Sequence, residues 1–284
     1  MQTSGGMGSS SGTPDIAKLT ARVDRRLVEV HTQRLADLGT DESGLFDHYA
    51  ALVRGGAILR SSELTACRLI CETLPRFAEY FVLKAGLGEL ALLLSEIGLP
   101  TVACEKNGRR FAALSAGCGG QTPGSPDEAG LRLFEEFLPD QIHNRPALAI
   151  GTDFAYNLAL ESDNEFRKRL RQFDALLINP RLFIRVRNSA AEQRAGMTFL
   201  RSLGFVEITE FPDQELVFAV RPASQQGQAD TALSADPTVE LEFEGLLERV
   251  MDLVPEAPPQ DRSTTWVERR IREFDMKSAF GNGE

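Results

Sequence analysis

The sequence predicts an α/β protein in which a mostly parallel sheet ends in an antiparallel hairpin and is preceded by N-terminal helices. Two observations lead to this fold class. Short apolar runs alternate with helical segments through the middle of the chain, a pattern typical of strand, helix, strand units. Farther along, residues 205–211 and 215–220 have the pattern of two strands joined by Pro212-Asp213, a dipeptide typical of turns.

The composition is that of an acidic globular protein. The chain has 284 residues, a formal net charge of −10, 42% hydrophobic residues and 25% charged residues, which is close to globular averages. No apolar stretch approaches the roughly 20 residues that a membrane-spanning helix needs. The acidic balance disfavours nucleic acid as a partner, because binding to phosphates requires clustered Lys and Arg. We therefore expect a cytoplasmic protein that has no membrane partner.

The chain opens with a tail and a helical region. Residues 1–14 are rich in Gly and Ser and lack the basic and apolar regions of a signal peptide, which predicts a disordered tail. Apolar residues recur at helical spacing over 15–38, and a shorter helical pattern follows at 45–53. We expect residues 15–61 to form an N-terminal helical cap.

Residues 62–221 are expected to form the α/β domain. Its first helix, 62–74, has Ser61 or Ser62 as the expected cap and ends before Pro75. The predicted elements that follow are strand 81–83, helix 89–97, strand 101–104, helix 109–115, helix 127–142, strand 147–150, helix 158–171, strand 173–178, a further strand at 183–186, helix 190–203 and the hairpin.

The last part of the chain, residues 222–284, changes in composition. It is first rich in Gln, Ser, Ala, Asp and Pro, and then shows helical patterns, the last of which contains Trp266, the single tryptophan. We interpret it as a linker and a helical C-terminal tail. Two alternatives are open for this tail and for the amphipathic first helix: each packs on the domain itself, or it is a surface through which the chain binds a protein partner.

One strand, helix, strand unit combines the features of a ligand site. Gly86 and Gly88 follow the strand at 81–83, and glycines at such a turn allow close approach of a ligand to the helix N-terminus. Glu105 ends the next strand, where its carboxylate can accept hydrogen bonds from a ribose diol. The pattern favours an adenosine-type ligand. The alternative is a plain tight turn beside an exposed surface acid.

This stretch resembles the class I S-adenosylmethionine-dependent methyltransferases, and the resemblance spans about residues 62–221. The first motif of that family is a strand followed by an acid and three alternate glycines, and its second strand ends in an acid. Residues 149–154 and 173–180 are similar to the ends of two later strands of the family, and 190–220 to its last helix and final hairpin. The resemblance implies a Rossmann-like methyltransferase sheet that is mostly parallel.

The resemblance also implies a cofactor, S-adenosylmethionine, and the residues that bind it. Gly86 and Gly88 would contact its methionine part, Glu105 the ribose, and Asp153 and Phe154 the adenine.

Asn179 and Pro180 are the implied catalytic residues, near a small-molecule or protein acceptor. Catalysis would come from holding donor and acceptor in line for displacement, without need of a strong base. If a base is required, Asp174 and the histidines are the candidates.

Two positions depart from the family motif, and two alternative functions follow. Lys84 replaces the acid, and Leu90 replaces the third glycine. An ammonium at that point would repel the amino group of the cofactor's methionine part. These departures favour a catalytically inactive methyltransferase-like scaffold or protein-interaction module. A nicotinamide-dependent oxidoreductase would contain the same strand, helix, strand unit, but the predicted terminal hairpin argues against this function.

A metal site is not expected. The cysteines are Cys67, Cys71, Cys104 and Cys118, and the sequence contains no Cys-x-x-Cys pair with a neighbouring His cluster. We expect reduced, buried thiols.

Overall fold

The computed structural model describes residues 15–33, 52–120, 130–136, 138–152, 164–179, 189–211 and 216–222. These residues form one seven-stranded sheet with helices on both faces. The strands are β1 (Glu79–Leu83), β2 (Thr101–Cys104), β3 (Leu131–Phe134), β4 (Ala147–Gly151), β5 (Ala175–Ile178), β6 (Glu207–Phe211) and β7 (Leu216–Val220). The helices are α1 (Ile16–Thr32), α2 (Ser61–Glu72), α3 (Glu89–Glu96), α4 (Gly108–Gly117), α5 (Asn164–Leu170) and α6 (Ser189–Ser202).

The strand order is β3-β2-β1-β4-β5-β7-β6. The first five strands in this order are parallel, whereas β7 is antiparallel to both β5 and β6. The predicted fold class is therefore confirmed: a mostly parallel sheet with a terminal antiparallel hairpin and N-terminal helices. The strands β1, β2, β4 and β5 are buried along their whole length, which explains their nearly unbroken apolar sequences.

Alternate residues of each strand contribute to two cores, one on either face of the sheet. Tyr80 and Val82 of β1 join the core under α1 to α4, whereas Phe81 and Leu83 join the core under α5 and α6. The first helix belongs to the larger core, since Val23 and Leu27 are buried there and α1 contacts α3 and α4.

The helix ends follow local hydrogen bonds. The side chain of Asp15 accepts from the backbone N–H of Lys18 at the start of α1, and Asn107 caps α4 in the same way. The expected cap of α2 is wrong. Its N-cap is Arg60, whose backbone N–H donates to Glu63 Oε2 over 2.8 Å, so the acid three residues later replaces the serine.

A helix over residues 127–142 is also wrong, because the part of this segment that the structure describes contains β3. Leu131 and Leu133 are buried while Arg132 and Phe134 are half-buried, a period of two that fits an outer strand. The predictions for residues 45–51, 183–186 and 223–284 lie outside the described residues. None of the described helices is long and apolar enough to cross a membrane.

We expect Leu27→Ala to lower the free energy of unfolding by about 3 kcal/mol, because it opens a cavity where α1 packs on the core. The control is Val206→Ala, at a side chain that is 59% exposed, where a change below about 0.5 kcal/mol is expected. Urea unfolding measures both. Equal losses in the two variants would contradict the packing of α1 described here.

Candidate functional site

The candidate site lies at the carboxyl ends of β1, β2, β4 and β5. From β1 the chain leads outward to β2 and β3, whereas from β4 it leads to β5 on the other side, so the direction of the sheet reverses between β1 and β4. Ligands of open α/β sheets bind at such a switch point. The residues that follow the four strands here are Lys84, Glu105, Thr152 and Asn179.

The turn after β1 depends on its glycines. Gly86 and Gly88 have φ of 61° and 95°, in the left-handed region that glycine adopts without strain. Gly88 is also the N-cap of α3, and a Cβ on it would lie 2.6 Å from Leu114 Cδ1 and 3.5 Å from Cys118 Sγ. The close packing of α3 on α4 therefore requires a glycine at this point.

Glu105 joins the glycine turn to the start of α4. Its side chain is buried, Oε2 accepts from the backbone N–H of Gly86 over 3.3 Å, and Oε1 accepts from that of Asn107 over 3.0 Å. The guanidinium of Arg110 lies 3.9 Å from Oε2. The alternative of an exposed surface acid is therefore wrong, and Glu105 lies against the glycine turn as a buried, partnered carboxylate.

Lys84 has a strained backbone conformation. Its φ is 51°, which is uncommon for a residue with a side chain. Lys84 lines a cavity of about 10 Å³, the space of about one water molecule, together with Arg60, Glu63 and Thr152. Backbone strain of this kind is concentrated at functional sites, where the surrounding structure enforces it.

Glu63 and Glu89 are two buried acids behind the turn. Arg60 Nη2 lies 2.6 Å from Glu63 Oε1. Glu89 Oε2 accepts from the backbone N–H of Leu87 over 3.0 Å, whereas its buried Oε1 has no hydrogen-bond partner among the described residues. Burial first, and then the nearby Glu63, raises the pKa of Glu89 from 4.5 to about 8.

The sequence interpretation missed this pair of acids and Arg60. The signals that could have found them are the Glu immediately after Gly88 and the Glu at the third position of α2, where an acid can accept from the N-cap backbone N–H.

The structure brings some of the predicted site residues together. Gly86, Gly88 and Glu105 meet at the turn, and Asn179 follows β5 at the same edge, where its backbone N–H donates to Gly151 O over 3.2 Å. Asp153, Phe154 and Pro180 lie outside the described residues, so their roles stay predictions.

Two of the candidate bases, Asp174 and His143, do not lie at this edge. Asp174 precedes β5 at the opposite edge, where it accepts from Arg145 Nη1 over 3.1 Å and from the backbone N–H of Ala147 over 2.8 Å. These bonds give Asp174 a role in holding β4 and β5 together. His143 precedes β4 at that opposite edge as well, and His31 is buried in α1. Asp174 as a general base is therefore wrong.

The chain matches no protein-family model and no curated protein in sequence. In structure it is similar to the glycopeptide N-methyltransferase MtfA, with 16% sequence identity over 57% of this chain and 91% of that one and a TM-score of 0.38. It is also similar to CalO1, a methyltransferase in calicheamicin biosynthesis in its SAH-bound form, with 11% identity over 75% of this chain and 74% of that one and a TM-score of 0.37. At these identities the likeness concerns the fold alone.

Replacing Gly88 with alanine tests whether the turn is sterically closed. We expect Gly88→Ala to lower the free energy of unfolding by about 3 kcal/mol, from left-handed strain and from the clash with Leu114. Gly98→Ala is the matched control, because Gly98 has a φ of 88° and nothing within 4 Å of an added Cβ. The free energy of unfolding of Gly98→Ala should fall by only about 1 kcal/mol, the cost of the left-handed strain alone. The packing argument fails if urea unfolding gives both variants the same loss.

The buried Glu89 predicts a specific pH dependence of stability. Between pH 4.5 and about 8 the folded protein keeps a proton on Glu89 that the unfolded chain has lost. The stability that this proton provides is fully present below pH 4.5 and declines as the pH rises to about 8. Glu89→Gln cannot ionise and should show a flatter decline in urea unfolding across this range. As a control, Glu207→Gln changes an exposed acid on β6 and should follow the wild type. If the free energy of unfolding changes with pH in the same way in the wild type and in Glu89→Gln, the raised pKa of Glu89 is refuted.

Proposed function

We propose that the chain is an S-adenosylmethionine-dependent methyltransferase that acts on a small-molecule or protein acceptor. The observation that carries the proposal is the hydrogen bond between the Glu105 carboxylate and the Gly86 backbone at the switch point of the sheet. A ligand lying over this contact meets a glycine turn on one side and a carboxylate on the other. An adenosine joined to a polar chain has the groups that such a pair can hold.

The residues present fit the ribose end of this cofactor. Each carboxylate oxygen of Glu105 accepts one backbone N–H and keeps a second lone pair, so the two oxygens can accept the two ribose hydroxyls. Gly86 and Gly88 present no side chain toward the ligand. In this proposal Asp153 and Phe154 contact the adenine.

The other end of the site has charges of both signs but little free space. The cavity beside the turn is lined by the cationic side chains of Lys84 and Arg60 and by the anionic Glu63. The methionine part of the cofactor carries one carboxylate and one ammonium. This cavity has a volume of only about 10 Å³, and both carboxylate oxygens of Glu63 accept from Arg60. In this proposal the methionine part therefore lies outside the cavity, and Lys84 would bind its carboxylate.

The proposed chemistry depends on placement. S-adenosylmethionine supplies a methyl group on a cationic sulfonium that leaves as a neutral thioether. The protein then has to hold the acceptor in line with the sulfur and methyl carbon, and such positioning accounts for several kcal/mol of barrier. Asn179 follows β5 at this edge and is half-buried, and with Pro180 it would orient the acceptor.

Isothermal titration calorimetry tests the proposal. The purified chain should bind S-adenosylmethionine and S-adenosylhomocysteine, and Glu105→Gln should weaken both by about 10- to 100-fold because it removes a charged acceptor. Glu207→Gln, an exposed acid on β6, is the matched control and should bind as the wild type does. NAD is the competing ligand.

Three results would count against the proposal. Binding that Glu105→Gln leaves unchanged would place the cofactor elsewhere. Binding of NAD in preference to both methyl-cofactor forms would favour the oxidoreductase. If a folded wild-type protein binds none of the three ligands, the chain is a non-catalytic scaffold, whose partner would contact α1 or residues 222–284.

A further inference from the structure

Two cysteines lie on one face of α2. Cys67 and Cys71 are four residues apart, one helical turn, so their side chains are neighbours. The two thiols are close enough to shift each other's pKa in opposite directions. Both are free cysteines, as are Cys104 and Cys118.

The two thiols differ in their access to solvent. Cys67 is 0% exposed and belongs to the core under α1 to α4. Cys71 is half-buried and packs against the boundary of the same core. A small reagent in water therefore reaches Cys71 first, while Cys67 stays behind it.

The surroundings favour a thiolate at Cys71. The hydrogen bond from Cys67 lowers the pKa of Cys71, and the guanidinium of Arg76 acts in the same direction, against burial and the charge of Glu72. The same hydrogen bond and burial raise the pKa of Cys67. Within the pair, the pKa is therefore lowered at Cys71 and raised at Cys67. In contrast, burial raises the pKa of Cys104, which is fully enclosed.

We propose that Cys67 and Cys71 form an oxidation site for peroxides, in which Cys71 is the reacting thiol and Cys67 the resolving one. An accessible thiol beside a second thiol is the arrangement that such chemistry needs. The site lies in the C-terminal half of α2 and does not depend on the methyl-transfer proposal.

The reaction balances with hydrogen peroxide as the oxidant. The sulfur of Cys71 attacks one peroxide oxygen, the O–O bond breaks, and the departing hydroxide takes up a proton to give water, which leaves a sulfenic acid on Cys71. The sulfur of Cys67 then gives up its proton and attacks the sulfur of Cys71, the S–O bond breaks, and a second water leaves. Two thiols lose two electrons, and one peroxide becomes two waters.

Closing the disulfide would change the shape of α2. Cβ atoms one helical turn apart are about 5–6 Å from each other, whereas a disulfide brings them to about 3.5–4.5 Å, so the turn must tighten by about 1.5 Å. The first turn of α2 carries the Arg60 and Glu63 pair that lines the candidate site. The cysteine pair and the Arg60–Glu63 pair therefore lie on the same helix, so oxidation of the cysteines would change the helix that lines the candidate site.

The test is oxidation of the full chain by hydrogen peroxide, followed by mass spectrometry of its peptides. In the wild type we expect the peptide with Cys67 and Cys71 to lose about 2 Da, which marks a disulfide. In Cys67→Ser, dimedone should trap a sulfenic acid on Cys71. In Cys71→Ser, the buried Cys67 should react at least about tenfold more slowly than Cys71 does in the wild type. Cys104 and Cys118, both buried, are internal controls in the native protein.

Each remaining outcome overturns the proposal. If Cys71 reacts no faster than Cys118, the pair is structural. If Cys67 reacts equally fast in Cys71→Ser, Cys71 is not the reacting thiol. If dimedone labels Cys71 in the wild type as fully as in Cys67→Ser, Cys67 does not resolve it. Circular dichroism of both serine variants verifies that each is folded before oxidation.

Discussion

The turn between β1 and α3 is the constraint on which the rest of the structure depends. β1 is an interior strand between β2 and β4 and is buried along its whole length, so the chain must reverse direction directly at the sheet edge. It does so with left-handed backbone at Lys84, Gly86 and Gly88. Two hydrogen bonds complete the turn, from Ala85 N–H to Cys104 O over 3.0 Å and from Gly88 N–H to Ala85 O over 2.8 Å. The turn therefore depends on β2 as much as on β1.

This turn leaves backbone N–H groups inside the protein, and buried acids accept from them. Glu105 holds the turn from the side of β2, and Glu89 holds it from within α3, through the N–H of Leu87. Glu63 adds a third buried carboxylate, which is paired with Arg60. Buried carboxylates are costly unless partnered. Donors accompany both oxygens of Glu105 and of Glu63, whereas burial raises the pKa of Glu89 to about 8, so that this acid keeps its proton at neutral pH. The same acids and donors give the carboxyl edge the polar groups that a ligand would meet.

The sequence predicted most of the sheet and part of the site, for physical reasons. β1, β2, β4 and β5 are buried on both faces, so their apolar runs stand out from their neighbours. β3 was missed because it is short and its buried and half-buried residues alternate. The charged residues around it fit a helix equally well. Glu105 and Gly86 were predicted because the spacing of a strand, helix, strand unit brings them together. Glu63 and Glu89 were missed because an acid in the first turn of a helix is ordinarily exposed, and only packing buries it.

Hydrogen exchange with and without S-adenosylhomocysteine tests most directly whether the turn after β1 and the end of β2 form one ligand site. We expect slower exchange in peptides covering residues 84–90 and 104–110, where the Glu105 bonds to Gly86 and Asn107 lie. The hairpin of β6 and β7 should not change. The single ligand site is contradicted if slower exchange is confined to that hairpin, or if neither segment changes when the ligand is saturating.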